Sequence, residues 1–233
     1  MSYVMLKNKV VIITGGTRGI GAGIVKLLLQ EGAKTIVIAK NRDTIIKLQE
    51  SFAEDTNLDA YQCDITSSEQ VTNVIDQIHE KYGEINALIN NAGVGVWKPI
   101  EEMTEADWDA QLNTNLKGVF LCSQAVYKIM KEQQSGQIIN IASDLAYNVT
   151  ERGSAYCASK WGLLGFSKTM NKEGKKYGIR VTNVSPGLVQ TDFGGVPAEK
   201  KSSGLTVETV AEHVLAVLKT KKDAGAVDVI ITP

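Results

Sequence analysis

The sequence predicts a doubly wound α/β domain, and three observations carry that reading. Short β-branched runs alternate with amphipathic stretches from end to end of the chain. Several of the runs are apolar almost throughout, as strands covered by helices on both faces are. Polar and glycine-rich motifs follow directly on the strands, where an open α/β sheet binds its ligands.

Seven runs read as strands: residues 9–14 (KVVIIT), 35–39 (TIVIA), 59–63 (DAYQC), 86–91 (NALINN), 137–143 (QIINIAS), 180–185 (RVTNVS) and 227–232 (VDVIIT). Six helices fit between them. Ile20, Ile24, Leu27 and Leu28 form one apolar stripe, with Gly32 placed to end it. Thr66-x-x-Glu69 reads as a capping box before Val71, Val74, Ile75 and Ile78, and Gly83 closes that helix. Thr206 caps a last helix through Val207, Val210, Val214 and Leu218. Strictly alternating strands and helices make a mostly parallel sheet with helices on both faces. No repeat, low-complexity tract or linker divides the chain, so residues 1–233 read as a single domain. A chain of that length buries about 70% or more of its unfolded surface and needs no staples.

Composition removes several classes of function. The 25 basic and 26 acidic residues nearly cancel, which leaves no electrostatic footprint for nucleic acid. No stretch has the length of a membrane span, and the N-terminal residues lack the apolar core and cleavage site of a secretory leader. Cys63, Cys122 and Cys157 form no Cys-x-x-Cys pair, and an odd set in this context points to a reduced cytoplasm. His79 and His213 stand alone on their helices, so no metal site is expected.

"TGGTRGIG", residues 14–21, lies between the first strand and the first helix. Gly15, Gly19 and Gly21 sit where a tight turn, the approach of a phosphate and close helix packing each exclude a Cβ. The helix start adds free N–H groups and a positive dipole end, which suit a pyrophosphate. From here the chain resembles the classical short-chain dehydrogenase/reductase family. Thr14, Gly15, Gly19 and Gly21 match its cofactor turn. Asp64 matches the residue holding the adenine amine, and "NNAG" (90–93) the segment beside the cofactor ribose. Asn115 stands at the position of the family's active-site asparagine, and Ser143 lies 13 residues before Tyr156, the family's spacing. "SPG" (185–187) and Thr191 match the segment that receives the nicotinamide carboxamide, although Ser185 stands where the family more often has Asn. The likeness runs in order from about residue 8 to 192.

The resemblance implies a Rossmann fold and a nicotinamide dinucleotide held by Gly15, Thr17, Arg18, Gly19, Ile20, Gly21, Lys40, Asn41, Arg42, Asp64, Ile65, Asn91, Ala92, Gly93, Tyr156, Lys160, Pro186, Gly187, Val189 and Thr191. It implies Asn115, Ser143, Tyr156 and Lys160 as the catalytic set. Substrate walls are expected at Ser143, Leu145, Tyr147 and Phe193, with Trp97 and other apolar residues near them.

Spacing alone does not choose the tyrosine, because Tyr3/Lys7, Tyr127/Lys131 and Tyr156/Lys160 all fit Tyr-x-x-x-Lys. Tyr3/Lys7 precedes the first strand, and Tyr127/Lys131 reads as a packing tyrosine beside a solvated lysine. Tyr156/Lys160 opens a helix on which i and i+4 share a face, and this pair alone also has a serine delivered from a strand end. The chemistry fits these residue types. A carbonyl that accepts hydride needs a proton on its oxygen, and the phenol can supply one, but its ordinary pKa is about 10. A cation about 4 Å away at an effective dielectric of about 20 contributes roughly 4 kcal/mol, or about 3 pKa units, before desolvation opposes it. Lys160 is assigned that part. Ser143 would fix the carbonyl oxygen, and Asn115, as in the family, would hold a water that links Lys160 to solvent.

At the second strand's end Ala39 occupies the place of the acid that binds a free ribose 2′-hydroxyl, followed by Lys40 and Arg42, with Arg18 in the glycine turn. These cations favour NADP(H) over NAD(H). Residues 104–133 resemble the family's dimerising helices, so a homodimer is expected, with a tetramer the alternative. Residues 192–205, four of the fourteen Gly or Pro and four charged, read as a short, mobile substrate lid with room for no more than one helical turn and weak grip on substrate. Two other readings of the same fold are a non-catalytic dinucleotide sensor, which would be expected to lack the catalytic set, and a sugar-nucleotide epimerase, which needs a larger C-terminal substrate region.

Overall fold

The computed structural model describes residues 4–221 and 227–233. Its strands are β1 (Val10–Thr14), β2 (Lys34–Ala39), β3 (Leu58–Gln62), β4 (Ala87–Asn90), β5 (Gly136–Ile141), β6 (Ile179–Pro186) and β7 (Asp228–Ile231). All seven pair in parallel in the order β3-β2-β1-β4-β5-β6-β7. The order reverses between β1 and β4, and that is where the crevice of a doubly wound sheet opens. The expected strands are present, displaced at their ends by no more than two residues.

The apolar runs are continuous because both faces of the sheet are covered. Val11 and Ile13 of β1 face one core, together with Ile24, Val25 and Leu28 of α1 (Gly19–Gln30), Ile45 and Leu48 of α2 (Arg42–Ser51), and Ala211, Val214 and Leu218 of α7 (Val207–Leu218). Val10 and Ile12, one step out of phase, face the other. There they meet Val71, Val74, Ile75 and Ile78 of α3 (Ser68–Tyr82), Cys122, Val126 and Met130 of α5 (Val119–Gln133), and Met170 of α6 (Ser154–Gly174). This is the two-residue period of a strand reaching two helical layers at once. Ile20 and Leu27, expected on the buried stripe of α1, are partly buried at its margin, and Val25 and Leu29 complete the stripe.

Side-chain caps set most helix starts. Asn41 caps α2, Thr206 caps α7, and Thr104 forms a capping box with Asp107 at α4 (Glu105–Leu112). The expected cap of α3 moves by one residue. Ser67 accepts the Gln70 amide, while the Thr66 side chain is turned to Asp64, to whose Oδ1 its hydroxyl donates at 2.7 Å. Gly32 and Gly83 end α1 and α3 with φ of 71° and 73°. α4 runs into α5 through a π-turn, Asn113–Gly118, so six helical crossovers join the seven strands, as expected. Tyr3 lies outside the described residues. Tyr127 packs half-buried on α5, while Lys131 is exposed over the Tyr177 ring.

Residues 192–205 hold two 3-10 turns, Phe193–Gly195 and Ala198–Lys201, where composition left room for one at most. The difference lies in one lysine. Lys201 turns inward, 8% exposed, and its ammonium donates to the carbonyls of Thr191 (2.6 Å) and Phe193 (2.8 Å). A charge counted as solvated instead satisfies two carbonyl groups, and Leu205 pairs beside Val189 to close the segment's far end.

A close approach the sequence did not flag joins α1 to α7. A Cβ on Gly23 would stand 2.5 Å from Val207 Cγ1. Gly23→Ala should therefore lower stability by about 1–3 kcal/mol through overpacking, a fall of several degrees in melting temperature by calorimetry. Gly165→Ala on α6, with nothing within 4 Å of the added methyl, should raise stability by about 0.5–1 kcal/mol through backbone entropy. Equal shifts for the two variants would overturn the packing account.

Candidate active site

Most of the residues expected at a site lie beyond the carboxyl ends of the strands, from β1 to β6. After β1 the chain turns through Gly15 and Gly19, with φ of 66° and 53°. The Thr14 hydroxyl accepts the amides of Asn91 and Ala92, each at 3.1 Å. Asn91 Nδ2 returns to the carbonyls of Thr14 (3.1 Å) and Gly15 (2.9 Å). A Cβ on Gly21 would overlap the Gly15 carbonyl and Asn91 Nδ2. So the close packing expected at Gly21 is present, against the turn and Asn91, and Gly23 adds a second close approach against α7.

α1 starts without a side-chain cap at Arg18 and without an acid in its first turn, unlike α2, α3, α4 and α7. Its first amides lack intrahelical partners, beside a turn that a Cβ would block. That cradle fits the diphosphate of a dinucleotide. Thr17 and Ile20 are half-buried in the turn, and Arg18 is exposed. Thr191 comes within reach of the same turn, its methyl 3.5 Å from where a Cβ on Gly19 would be.

At the β2 end Lys40, Asn41 and Arg42 are all exposed. Asn41 uses its side chain as the α2 cap. Lys40 Nζ pairs with Asp64 Oδ2 at 2.7 Å, so the cation expected at a ribose phosphate is joined to the acid expected at adenine. Burial raises the Asp64 carboxyl, but hydrogen bonds from Lys40 and Thr66 together with the Lys40 charge outweigh it and hold Asp64 at about 2. Ile65 is buried in the core, its side chain against Gly118.

Tyr156 and Lys160 lie one turn apart near the start of α6, 7% and 5% exposed. Trp97 and Phe193 flank the Tyr156 ring, with centroids at 5.1 and 5.7 Å. Burial pushes the phenol well above its ordinary value. The charge of Asp144 adds to this, and the Ser143 hydroxyl opposes it. Lys160 is pushed down to about 8 by burial. Its ammonium donates to the Ile141 carbonyl at 2.8 Å and stands 5.7 Å from the Tyr156 ring centre. The expected lowering of the phenol by Lys160 is therefore corrected: desolvation dominates, and the cation is held by the end of β5.

Asn115 is fully buried in the π-turn. Its Oδ1 accepts the Val94 amide, and its Nδ2 donates to the Val94 carbonyl and to Ser159 Oγ, at 2.9, 2.9 and 3.1 Å. It thereby ties the segment after β4, including Ala92 and Gly93, to α6. Ser143 follows β5, donates to Asp144 Oδ1 at 2.9 Å and accepts the Leu145 amide at 3.2 Å. At the end of β6 Pro186 is buried, and beyond it the Gly187 amide bonds the Ile231 carbonyl, while Val189 pairs with Leu205. Leu145 is half-buried. Tyr147 leaves the group: it packs against the small core of Val119, Ala142, Ala146, Leu163 and Leu164, and its hydroxyl lies beside Asp228; its own burial, with the Asp228 charge, pushes it up to about 12.

Sequence reasoning passed over Asp144 and Lys201. Asp144 follows the serine directly, and an acid at a strand end beside that residue was a readable signal. Lys201 had none, since its inward turn depends on the fold. Among the described residues no cluster of His, Cys, Asp or Glu is arranged to hold a metal ion.

Comparison with known proteins identifies the family. The short chain dehydrogenase family matches residues 9–202. An uncharacterised oxidoreductase of Staphylococcus saprophyticus is 31% identical over 232 residues, 99% of both chains. A 3-oxoacyl-[acyl-carrier-protein] reductase of Thermotoga maritima is 38% identical over 189 residues, 80% of this chain and 76% of that protein. Among solved structures, levodione reductase superposes with a TM-score of 0.90 at 27% identity, over 97% of each chain. A metagenomic short-chain oxidoreductase in complex with NADP superposes with a TM-score of 0.87 at 28% identity, over 99% of each chain. By sequence and by fold, the protein belongs to the short-chain dehydrogenase family.

Proposed function

We propose that this oxidoreductase interconverts a small carbonyl compound and its alcohol with NADP(H), using Tyr156 as the acid/base. The observation that carries the reading is the meeting of Tyr156, Lys160 and Ser143 beside the uncapped glycine turn. A bound nicotinamide dinucleotide supplies or accepts the hydride. The glycine turn and the α1 amides hold its diphosphate. Arg18, Lys40 and Arg42 give the 2′-phosphate its partners, and NADP in the complex with the metagenomic relative supports this choice.

The chain's own residues handle the proton. Tyr156 gives its proton to the carbonyl oxygen as negative charge gathers there, and takes it back from the alcohol in reverse. A phenol held up by burial stays protonated near neutrality, which suits the reducing direction. Ser143 holds the oxygen in place. Lys160, at about 8, exchanges protons near neutral pH and can resupply the tyrosine. Asn115 fixes the backbone around them. Residues 192–205 serve as a short lid, bringing Phe193 onto the Tyr156 ring. A non-catalytic sensor has no need of this set, and a steady loss of NADPH absorbance with a panel of carbonyls separates the two readings.

Three buried, free cysteines fit a reducing cytoplasm. No helix among the described residues is long and apolar enough to cross a membrane. A homodimer through α4, α5 and α6 is supported by Trp108, Phe120 and Trp161, which stand 40%, 39% and 51% exposed on those helices. Large apolar side chains left exposed in this way are characteristic of an interaction surface.

Tyr156→Phe is expected to bind NADPH normally and to lose at least about a hundredfold in turnover, whereas Tyr127→Phe stays near wild type. Retained activity in the first variant would remove Tyr156 from the mechanism. Exchanging Ala39 for Asp and Lys40 for Ile should move the ratio of kcat/KM values toward NADH. An unchanged ratio means that the phosphate is held elsewhere. Light scattering should give twice the chain mass at micromolar concentration, and a monomer would contradict the interface.

A further inference from the structure

Asp144 is a carboxylate without a cation at the centre of the site. Its Oδ1 takes the Ser143 hydroxyl proton and the Leu145 amide, both at 2.9 Å. Its Oδ2 accepts no hydrogen bond among the described residues, and faces Gly187, where a Cβ would stand 3.7 Å away. No lysine or arginine among the described residues pairs with it. Its charge acts on Tyr156, whose ring is flanked by those of Trp97 and Phe193. Oδ2 is not sealed from solvent, so a substrate that displaces water from this half-buried carboxylate must supply a partner in its place.

We propose that Asp144 determines specificity by accepting a hydrogen bond from a donor, a hydroxyl or an ammonium group, on the carbon next to the substrate's carbonyl. This rests on the oxidoreductase reading above. Ser143 has one hydroxyl proton, and in this structure Asp144 holds it. A carbonyl oxygen can only accept, so Ser143 must turn that proton to the substrate and withdraw it from Asp144. A neighbouring donor on the substrate then restores what Asp144 loses, through either oxygen, with the added strength of a charged acceptor. A ketone without a donor leaves the carboxylate short of partners. Sites built around a hydrogen bond reject analogues lacking it far more strongly than apolar pockets reject a missing methylene. Atoms balance simply: one NADPH and one proton convert hydroxyacetone to propane-1,2-diol, and the neighbouring hydroxyl keeps its hydrogen.

The test compares three ketones with NADPH: hydroxyacetone, aminoacetone and methoxyacetone. Methoxyacetone carries the same electron-withdrawing oxygen as hydroxyacetone but no donor, so the ratio separates recognition from intrinsic reactivity. The wild type should favour at least one donor ketone over methoxyacetone by about tenfold or more in kcat/KM. In Asp144→Ala that ratio should fall to about threefold or less. Asp144→Asn, nearly identical in shape, should lower it too and serves if the alanine variant does not fold. Because each ratio is taken within one preparation, a loss of folded protein does not move it. Equal kcat/KM values in the wild type, or a preference unchanged in both variants, overturn the proposal while leaving the oxidoreductase reading intact. If none of a broad panel of carbonyls consumes NADPH, that reading fails and this one with it.

Discussion

Beyond the ends of β1 and β4 two neighbouring segments leave the sheet, and their backbone groups lose the ladder that satisfied them. Buried amides and carbonyls must still find partners. Thr14 and Asn91 provide them reciprocally, one hydroxyl taking two amides and one carboxamide giving to two carbonyls. This cross-stitch fixes the spacing between the glycine turn and the segment from Asn91 to Val94. Asn115 continues it to α6 through Val94 and Ser159. The glycine turn and the tyrosine helix are thus held in register through side-chain hydrogen bonds that need no ligand. Had either amide side chain been apolar, several buried backbone groups would lose partners, each at a cost of about 1–3 kcal/mol.

The same rigidity explains how the fold keeps a lysine and a tyrosine out of water. A buried ammonium is tolerated because Lys160 donates to the Ile141 carbonyl and because burial brings its proton affinity down. A buried phenol needs no such concession, since it is neutral. The two groups are therefore shifted apart in proton affinity: burial lowers the lysine and raises the tyrosine. Asp144 adds to the second effect from the β5 side.

Much of this was legible in the sequence, for identifiable reasons. The strands were readable because runs such as VVIIT have no polar face, a signature of burial on both sides. The glycine turn and the caps at Thr206 and Gly83 were readable because their chemistry is local. What escaped depends on contacts between distant segments. The cap of α3 falls at Ser67 while Thr66 is turned to Asp64, and the Lys40–Asp64 pair joins two different strand ends. Tyr147 was expected at the substrate wall by its nearness to Ser143, yet a three-residue 3-10 turn at Asp144–Ala146 swings it toward Asp228. The charge state of Tyr156 required knowing how deeply the ring is buried, which neither spacing nor charge type carries.

The contact between α1 and α7 has a consequence for how the chain comes into being. The helix behind the glycine turn is synthesised long before its packing partner, α7. Lys219 closes the same seam by pairing with Glu31, 188 residues earlier. At synthesis rates of about 5–20 residues per second, α1 waits roughly 10–40 s with its α7-facing side uncovered. Contacts so far apart in sequence raise the contact order and slow folding. On the ribosome the N-terminal half therefore exposes an apolar helix face that only the finished chain can cover. A shielding chaperone, or slow release of the nascent chain, would matter more to the yield of this protein than to that of a domain whose first helix packs on its immediate neighbours.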